Sequence, residues 1–134
     1  MKDTTLITKA IEARKAAYTP YSKFKVGAAL LTKSGEIYTG CNIENAAYPV
    51  SCCAERVAIF KAISEGVYEF KEMAVVADTD GPVAPCGSCR QVMAEFFSKE
   101  MPIYLTNLKN DTLETTIEGL LPGSFVKSDL KLSK

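Results

Sequence analysis

The chain has 134 residues, of which 47% are hydrophobic and 24% are charged, as is typical of one soluble globular domain spanning residues 1–134. Sixteen basic residues balance sixteen acidic ones without a long run of either sign. This balance argues against a protein that binds nucleic acid through its phosphate backbone. No stretch has the apolar length of a signal-peptide core or a membrane span, and five cysteines without a secretory signal favour a reducing cytoplasm over a disulfide framework.

The first half of the chain predicts one helix and one β-hairpin. Apolar residues recur at helical spacing over residues 3–18, and Pro20 ends the pattern because the residue before a proline is disfavoured in the α region. The stretch Phe24–Leu31 is almost continuously apolar, which predicts a strand covered on both faces. A turn containing Gly35 then leads back into a second strand at Ile37–Cys41.

The second half alternates helices and strands. The pattern predicts a helix from Cys53 to about Glu65, a strand at Met73–Ala77, a helix from Cys86 and a strand at Ile103–Leu105. Residues 112–116 are either a further strand or irregular, and residues 120–125 have no assignable pattern. This order predicts an α/β fold, a three-layer α/β/α sandwich with a central mixed sheet of about five strands.

The cysteines at Cys86 and Cys89 are spaced so that both sulfurs lie on one side of a helix's first turn, which suits a tetrahedral zinc ion. Cys53, which also opens a predicted helix, is the best candidate for a third ligand. The chain contains no histidine, so a zinc site must use thiolates and carboxylates, and Ser-His and Cys-His nucleophiles are excluded. Three protein ligands leave a fourth position open, as in catalytic zinc sites.

Charged residues directly adjoin these cysteines. Glu55 lies two residues after Cys53, where a carboxylate can face the open zinc position and act as general acid and base. The alternative is an acidic residue that favours a helix N-terminus. Arg56 and Arg90 could donate hydrogen bonds to the thiolates, or could lie on solvated helix faces. The order Cys-x-Glu followed by Pro-Cys-x-x-Cys matches the signature of zinc deaminases.

The remaining cysteines, Cys41 and Cys52, are interpreted as small buried hydrophobic residues. A redox role for Cys86 and Cys89 is disfavoured because the chain lacks an acid/base histidine and a thioredoxin-like context. The polar stretch 42–52, which leads into the predicted zinc site, is suited to substrate contacts.

Nearly the whole chain resembles the small homotetrameric cytidine deaminases of pyrimidine nucleoside salvage. The resemblance rests on five segments: Tyr18–Leu30, Gly40–Tyr48, Cys53–Arg56, Pro85–Gln91 and Leu120–Phe125. The zinc motif alone indicates the deaminase superfamily. Two further segments, the loop with Asn42 and Glu44 and the segment Tyr18–Leu30, narrow the resemblance to deaminases that act on cytidine. Residues 109–118 and the last nine residues match least.

The resemblance implies hydrolytic deamination of cytidine and 2′-deoxycytidine to uridine and 2′-deoxyuridine, with release of ammonia. The implied zinc ligands are Cys53, Cys86 and Cys89, with one ion per subunit. Zinc-activated hydroxide would attack C4 of the base, and Glu55 would shuttle the protons.

The resemblance also implies a nucleoside pocket that two subunits share. Asn42 and Glu44 would hydrogen-bond the ribose 3′-hydroxyl, Phe24 would pack against the base, and the backbone at Ala54 would meet the pyrimidine carbonyl. Phe125 would reach into a neighbouring subunit's site, so a homotetramer would share its active sites. On spacing alone these residues would be a turn asparagine, a solvated glutamate and core phenylalanines.

Two other functions compete with this interpretation. A deaminase acting on a base within RNA or DNA is disfavoured by the balanced charge and the short loops. A non-catalytic binding module stabilised by zinc would normally have four protein ligands, and only three are convincing in this chain.

Overall fold

The computed structural model describes residues 4–130, which contain a five-stranded sheet flanked by helices. The elements in chain order are α1 (Thr4–Arg14), β1 (Val26–Thr32), β2 (Ile37–Cys41), α2 (Ala54–Ser64), β3 (Phe70–Ala77), α3 (Gly87–Phe96), β4 (Ile103–Asn107), β5 (Leu113–Thr115) and α4 (Ile117–Leu120). Two short 3₁₀ turns lie at Tyr48–Val50 and Lys127–Leu130. None of the helices in this part of the chain is long and apolar enough to cross a bilayer.

Within residues 4–130 the strand order is β2-β1-β3-β4-β5, and among these strands only the β3–β4 pair is parallel. A parallel pair needs a crossover between its strands, which α3 provides. The β1–β2 pair is a hairpin whose turn contains Gly35 at a φ of +98°, a conformation that glycine adopts without steric cost. The predicted mixed sheet of about five strands is confirmed.

Two apolar clusters pack on opposite faces of the sheet, and successive β1 side chains divide between them. Ala29 joins the cluster beneath α1, which includes Leu6 and Ala10. Ala28 and Leu30 join the larger cluster beneath α2 and α3. Because neighbouring side chains of a strand point to opposite faces, a continuously apolar strand requires helices on both sides. The predicted three-layer α/β/α sandwich is confirmed.

Glycines in the β1–β2 hairpin allow two helices to approach the sheet closely. A Cβ on Gly27 would lie 2.1 Å from Ala10 O in α1, and one on Gly40 would lie 2.4 Å from Ala54 O in α2. Neither position has room for a side chain, because both obstacles are backbone atoms. Gly40 therefore sets how closely the start of α2 packs against β2.

The first helix ends earlier than predicted, at Arg14 rather than at residue 18. The Tyr18 N–H instead donates to Asn42 O at 3.0 Å, and Tyr18 forms an isolated bridge with Ile43. Residues 15–17 continue only as turns whose N–H groups bond to the carbonyl three residues back, and the long-range pairing begins at Tyr18. Residue 3, the predicted start, lies outside the described residues.

Other boundaries moved by a few residues. β3 begins at Phe70, three residues before the predicted start at Met73, because Phe70 pairs with Thr32 across a register shift in β1. The uncertain stretch 112–116 contains a strand, β5, that pairs with β4. The short helix α4 ends at Leu120, the first residue of the unassigned segment 120–125.

Candidate active site and metal centre

Three thiols meet at the starts of α2 and α3. Cys53 is the N-cap residue of α2, Cys86 is the N-cap residue of α3, and Cys89 lies in the first turn of α3. Cys86 Sγ lies 3.6 Å from Cys53 Sγ and 3.4 Å from Cys89 Sγ, and all three sulfurs lie within 4.8 Å of one another. Tetrahedral zinc with Zn–S bonds of about 2.3 Å separates its sulfurs by about 3.8 Å. The three thiols therefore fit one zinc ion.

Sheet register explains why these thiols meet. Val26 pairs with Ala77, and Gly27 pairs with Cys41, so the ends of β2 and β3 lie beside the start of β1. The loops that leave β2 and β3 depart from this one edge and lead into α2 and α3. Both helices pack on the same face of the sheet, and their N-termini therefore converge there.

The environment of the sulfurs favours a thiolate at Cys53. A hydrogen bond from the Cys89 thiol, with further hydrogen bonds from Arg56 and Cys86, lowers the pKa of Cys53 to about 5. Arg56 Nη2 donates to Cys53 Sγ at 3.4 Å. The same Cys53–Cys89 contact, together with burial, raises the pKa of Cys89. A helix N-terminus adds further stabilisation of negative charge, so this end of α2 is suited to hold a thiolate ligand.

Glu55 lies beside these thiols and is buried, with 4% of its surface exposed. Burial raises the pKa of its carboxyl to about 7, because a buried carboxylate loses its hydration. The neighbouring Cys53 acts in the same direction. A carboxyl with a pKa near 7 can both accept and donate a proton at neutral pH.

A cavity of about 170 Å³ opens onto these groups. The predicted residues that line it are Phe24, Asn42, Cys53, Ala54, Glu55 and Cys86. Val26, Val83 and Ala84 also line the cavity and were not predicted, since isolated apolar residues at a strand end or in a loop carry no periodic signal. The cavity brings an aromatic ring, an amide and a buried carboxyl to the edge of the thiol cluster.

Comparisons with known proteins agree on one family. The family model for the cytidine and deoxycytidylate deaminase zinc-binding region matches residues 1–105. The cytidine deaminases of Sporosarcina psychrophila and Halalkalibacterium halodurans are 64% and 55% identical over 125 residues, which cover 93% of this chain and 92% and 95% of those relatives. A 1.6 Å crystal structure of cytidine deaminase from Burkholderia pseudomallei is 49% identical, covers 93% of this chain and 100% of that chain, and has a TM-score of 0.90.

The chain belongs to the cytidine deaminase family. Within this family framework, the predicted ribose contacts Asn42 and Glu44 both hold the segment that precedes β1. Asn42 Nδ2 donates to Phe24 O at 2.7 Å, and Asn42 Oδ1 accepts from Val26 N at 2.9 Å. Glu44 does not line this cavity and lies in another depression, of about 400 Å³, that Ser22 also lines.

The Glu44 carboxylate is anchored by hydrogen bonds from residues 21 and 22. Its Oε1 accepts from Tyr21 N at 3.0 Å and from Ser22 N at 3.1 Å, and its Oε2 accepts from the Ser22 hydroxyl. The hydrogen bond from that hydroxyl is the main cause that lowers the pKa of Glu44. The carboxylate is therefore ionised at neutral pH, and it is held in one orientation.

The two predicted partners of the thiolates, Arg56 and Arg90, differ in this cytidine deaminase family member. Arg56 contacts Cys53 Sγ, as described above. Arg90 instead donates from Nε to Pro85 O at 2.9 Å and from Nη1 to Leu120 O at 2.8 Å. The Arg90 guanidinium thus connects the thiol-bearing turn to the C-terminal region. Within residues 4–130 the expected hydrogen bond from Arg90 to a thiolate is not observed.

Phe125 lies outside the cavity of its own chain and is 58% exposed. Its carbonyl accepts a hydrogen bond from Gln91 Nε2 at 2.8 Å, so α3 fixes the backbone beside it. An exposed aromatic residue on an anchored backbone is available to another molecule.

The prediction for the two remaining cysteines is corrected, because Cys41 and Cys52 are half-buried rather than buried. Cys52 pairs through its backbone with Ile43, in an isolated bridge.

Proposed function

We propose that this protein catalyses the hydrolytic deamination of cytidine and 2′-deoxycytidine to uridine and 2′-deoxyuridine, with release of ammonia, in pyrimidine salvage. The observation that carries the proposal is the meeting of three thiols and one buried carboxyl at a cavity lined by Phe24 and Asn42. The names of the relatives, cytidine deaminases at 64% and 55% identity, support the same reaction.

Cys53, Cys86 and Cys89 hold one zinc ion per subunit. When bound, zinc supplies the Lewis acidity that makes water a competent nucleophile at neutral pH. The chain has to offset the negative charge of three thiolates, which weakens that acidity. The Arg56 guanidinium on Cys53 Sγ and the N-termini of α2 and α3 contribute in this direction.

Glu55 handles the protons of the reaction. One water is consumed as the bond from C4 to the exocyclic nitrogen breaks and a bond from C4 to oxygen forms. Of the two protons of that water, one ends on ring N3 and the other on the departing ammonia. A carboxyl whose pKa lies near 7 can take each proton and pass it on, and its burial keeps bulk water from competing.

The remaining predicted residues bind and orient the nucleoside. Phe24 packs against the flat base, and the backbone at Ala54 meets the pyrimidine carbonyl. Asn42 and Glu44 hydrogen-bond the ribose 3′-hydroxyl, for which an amide and an ionised carboxylate are suited partners. Both side chains are already oriented by the chain itself, which lowers the entropy lost when substrate binds.

We further propose a homotetramer in which Phe125 reaches a neighbouring subunit's site. Large apolar side chains are exposed beside the active site, among them Tyr18, Tyr48 and Val50 at 56%, 70% and 66% exposure. Concentrated apolar exposure of this kind marks a protein interface. Such an interface would also bring a partner's Phe125 beside the nucleoside.

The proposal includes one domain over residues 1–134 and a cytoplasmic location. Both apolar clusters share one sheet, which supports a single domain. A site of three zinc-binding thiols requires reduced cysteines, and a reducing cytoplasm maintains them.

An ultraviolet assay of purified protein with cytidine, before and after removal of zinc, tests the proposal. We expect conversion to uridine that stops when zinc is stripped and returns when zinc is restored. Failure of the zinc-loaded protein to convert cytidine or 2′-deoxycytidine would overturn the proposal.

Glu55→Gln tests the carboxyl separately. The variant is expected to keep its zinc and its fold while losing at least about 10³-fold in turnover. Glu95→Gln, on the exposed surface of α3, is the matched control and should stay near wild type. Near-normal turnover of Glu55→Gln would remove this residue from the mechanism.

A further inference from the structure

The segment before β1 is held against the active-site loop by a connected set of hydrogen bonds that centres on Ser22. The Ser22 hydroxyl donates to Glu44 Oε2. Its oxygen, Ser22 Oγ, also accepts a hydrogen bond from Phe24 N at 3.0 Å. Phe24 O in turn accepts from Asn42 Nδ2 at 2.7 Å. One hydroxyl therefore connects the carboxylate proposed for the ribose with the aromatic residue proposed for the base.

The acceptor capacity of the Glu44 carboxylate shows how the Ser22 hydroxyl limits the further hydrogen bonds that Glu44 can accept. Each carboxylate oxygen can accept about two hydrogen bonds. Oε1 is filled by Tyr21 N and Ser22 N, whereas Oε2 accepts the Ser22 hydroxyl and keeps one acceptor position. The hydroxyl thus leaves a single, directed position on Glu44 for a further donor.

The backbone conformation of this segment gives independent support. Lys23, between Ser22 and Phe24, has a φ of +61°, in the left-handed region that is costly for a residue with a side chain. Such a conformation persists only where the surroundings over-determine it. Here the residues on both sides of Lys23 are tied down, through Glu44 and through Asn42.

We propose that Ser22 is a positioning residue for nucleoside recognition, because its hydroxyl aims the free acceptor position of Glu44 at the sugar and ties that carboxylate to Phe24. This inference rests on the proposed function, since it concerns how the same site recognises the ribose hydroxyl. Ser22 acts through Glu44 and Phe24 and takes no part in the chemical step.

The test compares Ser22→Ala with wild type on two substrates, cytidine and 3′-deoxycytidine. A hydrogen bond to a charged group at a partly exposed site corresponds to about a 10-fold effect. We expect Ser22→Ala to lower kcat/KM for cytidine about 10-fold, mainly through KM, because binding rather than chemistry is affected. With 3′-deoxycytidine the loss should be much smaller, at most about 2-fold, because the hydroxyl that Glu44 would receive is missing and only the part transmitted through Phe24 remains.

Two further variants separate positioning from a general structural effect. Ser22→Thr keeps the hydroxyl and should recover most of the loss. Ser34→Ala is the matched control, since Ser34 also donates to a glutamate carboxylate, Glu36 Oε1 at 3.0 Å, in the turn at the far end of the hairpin. In a Glu44→Gln background, Ser22→Ala should cost cytidine turnover less than about 2-fold.

Equal losses on both nucleosides, or an unchanged KM for cytidine, would overturn the inference. Hydrogen exchange in the zinc-bound protein provides a measure that needs no turnover. In Ser22→Ala the Phe24 amide should exchange at least about 10-fold faster, while the Thr32 amide, bonded to Glu36 O at 2.9 Å, keeps its rate. Wild-type protein inactive on cytidine would contradict the proposed function alone, and an unchanged Phe24 exchange rate would contradict the role of Ser22.

Discussion

At the scale of single residues, the first turn of α2 places two oppositely charged neighbours in different environments. Glu55 is buried, and its pKa is raised to about 7. Arg56 reaches back to Cys53 Sγ, and that contact raises the pKa of the guanidinium. Successive helical positions lie about 100° apart, so one side chain faces the cavity while the next lies along the thiolate. Each environment suits the role proposed for its residue.

The raised pKa of Glu55 predicts how the stability of the metal-free protein varies with pH. In the unfolded chain this carboxyl ionises near its ordinary pKa of 4.5, whereas in the folded chain it stays protonated up to about pH 7. Between these pH values the folded state holds more protons than the unfolded state. The contribution of Glu55 to the free energy of unfolding is therefore complete below pH 4.5 and is lost as pH rises through 7, a decrease of about 3 kcal/mol.

Urea unfolding of metal-free wild type and Glu55→Gln at several pH values measures this contribution. The difference between the two unfolding free energies should change by about 3 kcal/mol between pH 4.5 and pH 8, and should be flat outside that range. Cys53 titrates in both proteins, and the comparison removes the part of its effect that does not depend on the charge of Glu55. Parallel pH profiles for the two proteins would show that the carboxyl is not buried as described.

The two arginines next to the cysteines predict different defects. Arg56→Gln removes a donor from Cys53 Sγ and should weaken zinc binding about 10- to 100-fold, as losses beside metal ligands do. Arg90→Gln removes the ties to Pro85 O and Leu120 O, and should mainly lower the free energy of unfolding, by about 1–3 kcal/mol. Competition with a zinc chelator and urea unfolding measure the two effects. Equal zinc affinities for both variants would contradict this division.

At the scale of elements, the site depends on how closely α2 packs against β2. Gly40 faces the first turn of this helix, where Ala54 O and Ala58 N would lie 2.4 and 2.6 Å from an added Cβ. That turn follows Cys53 and contains Glu55. A displacement of α2 would therefore move a proposed zinc ligand and the proposed proton shuttle together.

Gly40→Ala should displace the start of α2, because a methyl group cannot fit against backbone atoms. We expect a loss of about 2–3 kcal/mol in the free energy of unfolding, the range for overpacked sites, together with weaker zinc binding. Gly81→Ala is the matched control, since nothing lies within 4 Å of its added Cβ. Urea unfolding and chelator competition report the two effects, and a stable Gly40→Ala variant with normal zinc affinity would contradict the prediction.

At the scale of the whole molecule, the described chain leaves an aromatic residue outside its own active site. Phe125 is exposed, but its backbone is held by Gln91, and the preceding helix is held by Arg90 through Leu120 O. The turn that carries two of the thiols therefore also anchors the C-terminal segment. In an assembly of subunits, the C-terminal segment of one subunit could complete the active site of the next.

Phe125→Ala should raise KM for cytidine by about 10-fold if the ring packs on a neighbour's substrate, consistent with the loss of a well-placed aromatic contact. Phe60→Ala, an exposed phenylalanine of α2, is the control and should leave KM near wild type. Steady-state kinetics give KM, and light scattering gives the assembly state. An unchanged KM with an unchanged assembly would count against a shared site.

A subunit-mixing experiment also tests whether Phe125 completes a neighbouring subunit's site. In oligomers formed from Glu55→Gln and Phe125→Ala chains, some sites would combine an intact Glu55 with an intact Phe125 from the neighbour. At cytidine concentrations well below KM, the activity per chain should then exceed that of either variant alone. Sites contained within single subunits would show no such recovery.

Features that depend on neighbouring residues were predictable from the sequence alone. The spacing of Cys86 and Cys89, and of Cys53 and Glu55, needs only the geometry of a helix's first turn, and both pairs lie at helix starts. The strand Ile37–Cys41 has the predicted limits, because a glycine turn and a short alternating segment define it locally. The continuously apolar β1 indicated helices on both faces of the sheet.

Features that depend on distant residues required the tertiary structure. The sheet register brings the starts of α2 and α3 together, and no local pattern encodes that register. α1 stops at Arg14, and Tyr18 pairs instead with a segment far along the chain. Arg90 finds its partner at Leu120, and Ser22 finds its partner at Glu44, through contacts more than twenty residues apart. The sequence by itself determined which groups could perform the chemistry, and the fold decided which of them meet, because long-range hydrogen bonds and packing outweigh local preference.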